Sequence, residues 1–249
     1  MKRILALLLA VLISSCAFAG YFSQIEGRLK GYHKKYFLYV NKRYKKLYLV
    51  DRNLKVWKTY TVATGAKSGE KLHRGDNRTP SGIYNVVEIY QYHEPWYMRQ
   101  IKNDLENSAN DKEKFRYYWD FYKNAKIKNI KGKKRIESLN SVYFNASDGH
   151  TKYGTQEDLG YNAYGPVFMR LDYPNEEDMR KYKAAIKAGI MPLKSNGEYP
   201  DPGSGIAIHG TNDNPSLGNF SSTGCVRMKN DDIVEVSGYV SEGTMVVID

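Results

Sequence analysis

The stretch Ile206-Ala207-Ile208-His209-Gly210-Thr211-Asn212, followed after a polar loop by Ser221-Ser222-Thr223-Gly224-Cys225-Val226-Arg227-Met228, decides how the rest of the chain is read. A short apolar run delivers His209, and a glycine precedes Cys225. A thiol attacks as thiolate, and a nearby imidazole can take its proton. Gly224 permits a tight turn, so main-chain N–H groups near Gly224 and Cys225 can face one point and hold an oxyanion. Arg227 offers a planar cationic fork suited to a carboxylate. Taken singly, a cysteine is more often a small buried hydrophobe and a histidine a satisfied core residue. A nucleophile, a base, backbone donors and an anion clamp in one short stretch reverse that weighting.

Working outward, the chain has two cysteines. Residues 1–19 read as a signal peptide: Lys2 and Arg3 precede the apolar run Ile4 to Ile13, and Ala17-Phe18-Ala19 forms a small-x-small cleavage site. Cleavage there leaves Cys225 as the only thiol, with no partner for a disulfide. An unpaired thiol in an oxidising compartment is open to damage, so its presence suggests use. Ile13-Ser14-Ser15-Cys16 is also a tolerable lipidation box, and a lipid on Cys16 would anchor the chain to a membrane. The expected location is therefore exported, in a periplasm or cell envelope, with the lipoprotein as the alternative.

After a short N-terminal segment (20–35), Tyr36 to Val40, Lys46 to Val50 and Val56 to Val62 are rich in β-branched and aromatic residues and read as strands. Asn41-Lys42-Arg43 and Asp51-Arg52-Asn53 supply the turns. Arg78-Thr79-Pro80-Ser81-Gly82 then stops one element and starts the strand Ile83 to Ile89. The residues from about 92 to 135 lose β character. Trp96, Met98, Ile101 and Leu105 fit one helix face, and Phe115, Tyr118, Trp119 and Tyr122 another. They read as two amphipathic helices inserted in the β core, a packed appendage ahead of a substrate lid. Asn129 to Arg135 reads as a basic turn, Ser141 to Asn145 as a strand and Ser147 to Gly160 as loop. Asn175 is placed to cap a helix reaching about Ala188, with Glu176, Glu177 and Asp178 in its first turn. Asn230 is likewise placed to cap a helix behind the cysteine, Ile233 to Tyr239, ahead of a last strand, Met245 to Ile248.

The set His209-Gly210-Thr211-Asn212, then Ser222, Gly224, Cys225, Val226 and Arg227, resembles the L,D-transpeptidase (YkuD-type) catalytic domain. The strands ending in Ala63-Thr64-Gly65 and the Thr79-Pro80-x-Gly82 segment are similar to further parts of that domain. Thr223 stands where most members have a second histidine, so the chain resembles a branch lacking it. The resemblance implies a mainly β fold with α insertions: a β-sandwich or barrel core over 36–249, with the helical insertion between the early strands and the His/Cys motif. It implies Cys225 as nucleophile, His209 as base, the Gly210 carbonyl as the group that fixes the imidazole tautomer, and peptidoglycan stem peptides as substrate. The product is a crosslink if an amine accepts the acyl group, and a trimmed stem (carboxypeptidase) if water does. Thr211, Ser222 and Thr223 are expected to line the substrate wall, and Arg227 either to hold a stem carboxylate there or to brace the loop.

Of 249 residues, 41% are hydrophobic, enough for one sizeable core. The net charge of +11 favours anionic partners. Charge is the only feature pointing to nucleic acid, and no groove-reading motif accompanies it, so no nucleic-acid partner is expected. His33, His73, His93 and His150 have no metal-ligand spacing, and no cysteine pair supports zinc. Neither metal nor cofactor is expected, and nothing in the chain specifies an oligomeric state. A catalytically idle wall-binding module is the rival class, against which intact Cys225, His209 and Gly224 argue.

Overall fold

The computed structural model describes residues 25–91, 96–124 and 164–249. The leader with Cys16, the basic turn Asn129 to Arg135, the strand Ser141 to Asn145 and the loop Ser147 to Gly160 lie outside the described residues. Among the described residues the fold is mainly β, with nine strands: β1 (Tyr36–Asn41), β2 (Lys46–Asp51), β3 (Val56–Gly65), β4 (Gly82–Gln91), β5 (Val167–Leu171), β6 (Ala207–His209), β7 (Phe220–Ser222), β8 (Val226–Met228) and β9 (Met245–Ile248).

The turns form where the side chains can satisfy backbone donors. Asn41 Oδ1 accepts the Tyr44 N–H (2.8 Å) at the β1–β2 hairpin. Asp51 Oδ1 accepts those of Asn53 (2.8 Å) and Lys55 (3.0 Å) before β3. Both are local side-chain turns of the kind these residues favour.

The strands lie in the order β2-β1-β9-β4-β5-β6-β8-β3-β7, and β2 also pairs with β3. That extra pairing closes eight of them into a ring and leaves β7 outside on β3. Closure removes the open edges that would otherwise template association. Two long strands turn the corners. β4 pairs with β9 through Gly82–Asn85 and with β5 through Val86–Gln91. β3 passes from β2 to β8 and then β7.

Alternation along the strands sorts the side chains. Leu38, Val40, Leu47, Leu49, Val62, Met169, Ile208, Val226 and Ile248 point into the ring and form the main core. Phe37, Tyr39, Tyr48, Val50 and Val247 point the other way, where Ile25 and Leu29 of the helical residues 25–29 cover them. A third cluster, Tyr164, Phe168 and Ala207 with Tyr90 and Cys225 against it, lies on the outer face of β5, β6 and β8.

Asn175 caps the helix Glu176–Lys187 as its sequence predicts. Its side chain accepts the Glu177 and Asp178 N–H groups, and Asp178 returns a bond to the Asn175 N–H (2.9 Å). Helices also occupy Trp96–Asn107 and 112–124, as expected for the insertion. The second of these does not bury its aromatic face as a packed appendage would. Phe115 and Trp119 stay exposed and stack on each other, with Trp119 stacking in turn on Tyr122. The helix Asn230–Ser237 corrects another expectation. Lys229 is its N-cap, with no side-chain cap bond, and Asn230 is already helical.

Candidate active site

His209 ends β6, and Cys225 immediately precedes β8. These strands pair in parallel, with Ile208 opposite Val226 and His209 opposite Arg227. Side chains two residues apart on a strand share a face, so Ala207, His209, Cys225 and Arg227 all lie on the outer side of this part of the ring. His209 and Cys225 are then diagonal neighbours, about 7–8 Å apart at Cα. The ladder, not the loop between them, sets this spacing.

His209 is 2% exposed. Its ring lies over Phe168 (centroids 5.7 Å apart) and beside Tyr164 (4.8 Å). The Nδ1–H donates to the Gly210 carbonyl at 2.6 Å, which leaves Nε2 as the nitrogen with a free lone pair. Burial, aided by the charge of Arg227 and opposed by the Gly210 carbonyl, pushes the His209 pKa down to about 3. The ring is thus a neutral base at any working pH.

Cys225 is a free cysteine, half-buried. Its Sγ lies 3.5 Å from the Gly205 carbonyl and receives the Ala207 N–H. Burial raises the thiol pKa, while the Ala207 N–H, Arg227 and Lys71 pull it back. The resting pair is therefore thiol and imidazole, which fits proton transfer during attack better than a standing ion pair.

The turn before the thiol is held from three sides. Gly224 has φ +144°, and a Cβ there would meet the Arg78 carbonyl oxygen and Ile206 Cδ1 at 3.0 Å, so only glycine fits. Ser222 Oγ donates to the Cys225 carbonyl (2.5 Å) and accepts the Gly224 N–H (3.1 Å). Thr79 Oγ1 donates to the Gly224 carbonyl (2.8 Å) and accepts the Gly65 N–H (2.8 Å). A trans peptide points its N–H opposite its C=O. With the Gly224 carbonyl turned to Thr79, the Cys225 N–H faces away from Thr79. The Gly224 N–H, expected as an oxyanion donor, is instead committed to Ser222.

Two residues expected on the substrate wall are buried in the scaffold. Ser222 is 1% exposed and its hydroxyl is used in the turn. Thr211 is also 1% exposed, and its Oγ1 accepts the Asp213 N–H (3.0 Å). Thr223 is exposed at the tip of the cysteine turn. Arg227, mostly buried, makes a loose ion pair with Asp213 at 3.8 Å. Behind Gly224 sits a buried ion pair, Lys71 with Asp76 (2.8 Å).

On the same face, one strand further out, Arg170 stands opposite Ala207 and makes a two-pronged bond to Glu88 (2.9 Å each), whose carboxylate also accepts the Tyr90 hydroxyl (2.7 Å). Sequence alone does not single out Thr79 as a brace of the thiol turn, Lys71, Glu88 or Arg170 as site neighbours, or Asn230, whose Oδ1 accepts the Thr211 N–H (3.0 Å). Strand alternation on β4 and β5 could have placed Glu88 and Arg170 on the outer face; the others needed the tertiary contacts.

A profile of the L,D-transpeptidase catalytic domain matches residues 35–248. YkuD of Bacillus subtilis (strain 168) is 49% identical over 41 residues, 16% of this chain and 25% of that protein. Among solved structures, Bdellovibrio bacteriovorus Bd1075 is similar at 19% identity, with a TM-score of 0.43 over 87% of this chain and 48% of the other. The helical cell shape determining protein Pgp2 from Campylobacter jejuni is similar at 16% identity, with a TM-score of 0.40 over 91% and 54%. The chain thus spans about half the length of these solved relatives and a quarter of the curated one.

Proposed function

The chain belongs to the L,D-transpeptidase catalytic domain family, and on that premise we propose that it is an exported cysteine acyltransferase acting on peptidoglycan stem peptides. Cys225 Sγ attacks the amide carbonyl after the third residue of a stem tetrapeptide, and His209 Nε2 takes the thiol proton. The Cys225 N–H stabilises the oxyanion. The C–N bond breaks, His209 returns the proton to the departing D-amino acid, and the acyl group remains as a thioester. An incoming amine then attacks the thioester, gives its proton to His209 and expels the thiolate, which is reprotonated; the product is a crosslink between third residues. The observation that carries this reading is the sharing of one outer face by Cys225 and a neutral His209 whose Nδ1–H is already tied to Gly210.

The second reading, an L,D-carboxypeptidase in which water replaces the amine, is favoured by one feature. Thr223, exposed beside the thiol, puts a small hydroxyl where most of the family has a histidine. An export signal in residues 1–19 supports action in the periplasm or cell envelope, and a lipid on Cys16 would keep the enzyme at a membrane. The mass of the mature N-terminus separates the two.

The test of function is incubation of the fully reduced protein with purified muropeptides, read by mass spectrometry. Dimers joined at third residues identify transpeptidation, and tripeptide alone identifies carboxypeptidation. No product overturns the enzyme reading in favour of a wall-binding module, and the same product from Cys225→Ala overturns Cys225 as the nucleophile.

A further inference from the structure

The Gly210 carbonyl and the Thr211 N–H are the two ends of one peptide unit, and both are engaged. The oxygen accepts His209 Nδ1–H at 2.6 Å, and the N–H donates to Asn230 Oδ1 at 3.0 Å. The unit is trans and planar, so the two bonds pull in opposite directions along it and stop its rotation. The carboxamide of Asn230 is packed into this corner. A Cβ on either Gly165 or Gly210 would run into Asn230 Oδ1, and on Gly210 would also meet Gly165 Cα at 2.9 Å. Two glycine backbones and one amide thus meet at a single point beside the imidazole.

The anchor itself is rigid. Asn230 opens the helix Asn230–Ser237, which is pinned to the core by Ile233 and Val236, both 0% exposed. Asn230 does not serve as that helix's N-cap, the role its position in sequence suggests. Glycine at 210 leaves the peptide free of side-chain resistance to rotation, so an outside acceptor is what keeps its carbonyl aimed at His209. If the peptide turns, Nδ1 loses its acceptor and the ring is free to carry its proton on Nε2. In that tautomer Nε2 cannot receive the thiol proton.

We propose that Asn230 is a positioning residue that holds His209 in its Nδ1–H tautomer through the Gly210–Thr211 peptide. The inference rests on His209 being the base for Cys225, but its primary readout is independent of turnover. In protein carrying ¹⁵N-labelled histidine, two-bond ¹H–¹⁵N spectra report the ring tautomer directly, with His209 assigned by its loss in His209→Gln. The wild type shows a protonated Nδ1. Asn230→Ala shifts His209 toward a mixed or Nε2–H pattern, and Asn230→Asp, which keeps an acceptor for the Thr211 N–H, restores it. Acyl transfer by Asn230→Ala falls at least about tenfold in kcat with KM little changed, short of the ~10⁴-fold loss that follows full tautomer reversal. An unchanged His209 pattern in folded Asn230→Ala overturns the proposal, whatever happens to kcat or Tm. Should Asn230→Ala fail to fold, hydrogen exchange on the wild type decides: the Thr211 amide is protected if Asn230 clamps it, and rapid exchange overturns the proposal. If no variant, nor the wild type, acts on muropeptides, the functional reading fails while the spectra still decide the role of Asn230.

Discussion

His209 and Arg227 stand directly opposite each other across the parallel pairing of β6 and β8. One guanidinium therefore acts on both members of the proposed reacting pair. It disfavours the imidazolium and favours the thiolate.

Removing that cation should move both groups the same way. In Arg227→Gln, His209 becomes easier to protonate and Cys225 harder to ionise. Alkylation of Cys225 by iodoacetamide, followed from pH 5 to 10, should show an inflection displaced to higher pH and a rate at neutral pH several-fold lower than wild type. An unchanged profile would mean that solvent screens the guanidinium from the sulfur.

The depressed His209 pKa predicts acid sensitivity. The free ring titrates near 6.5 and the folded one near 3. Between those values the unfolded chain binds a proton that the folded chain excludes, so stability rises with pH through this window and is lost as pH falls below 6.5. The slope is about 1.4 kcal/mol per pH unit for one proton. Urea unfolding at pH 7, 5.5 and 4 should show this dependence, and His209→Gln should flatten it by one proton's worth. Equal slopes in the two proteins would contradict a buried neutral imidazole.

Thr79→Val keeps the shape but removes the donor to the Gly224 carbonyl and the acceptor for the Gly65 N–H. Each buried group left unpaired costs about 1–3 kcal/mol. The Gly224–Cys225 peptide should then lose its orientation. Acyl transfer, which needs the Cys225 N–H at the oxyanion, should fall by more than the rate of simple thiol alkylation, which does not. Parallel losses in both rates would place the defect elsewhere.

The Lys71–Asp76 pair, with side chains 4% and 1% exposed, should be intolerant of single changes. Lys71→Met strands a carboxylate that also holds the Leu72 and His73 N–H groups, and a loss of about 3–5 kcal/mol is expected. Asp76→Asn, which keeps those acceptor contacts, should cost less. Thermal unfolding of the two variants checks the order.

Much of this was legible beforehand, for local reasons. The strands of the ring carry aromatic and β-branched runs, and Asn41, Asp51 and Asn175 announce turns and a cap through bonds made within a few residues. The His209 and Cys225 motif was readable because its residues are close in sequence. What escaped were roles defined by distant partners. Thr79 was visible as part of a strand-starting segment, but its bond to Gly224 spans 145 positions. Asn230 reads as a cap because a local capping preference competes with an acceptor role toward the His209 loop that only the fold creates. Ser222 and Thr211 read as wall residues because a hydroxyl near a nucleophile looks the same in sequence whether it faces a groove or ties down its own loop. The aromatic spacing of 112–124 suits a buried face equally well, and periodicity alone does not reveal that Phe115 and Trp119 stay exposed.

Because β6 and β8 run side by side in the same direction, the chain must leave the far end of one and travel back to the near end of the other. The return path through Asn214–Ser216 and β7 contributes no rung between the two reactive side chains. Asn214 and Pro215, exposed at its tip, can thus be exchanged like a tool head on a fixed handle. Rebuilding them leaves the spacing of thiol and imidazole, which the pairing of β6 with β8 sets, intact.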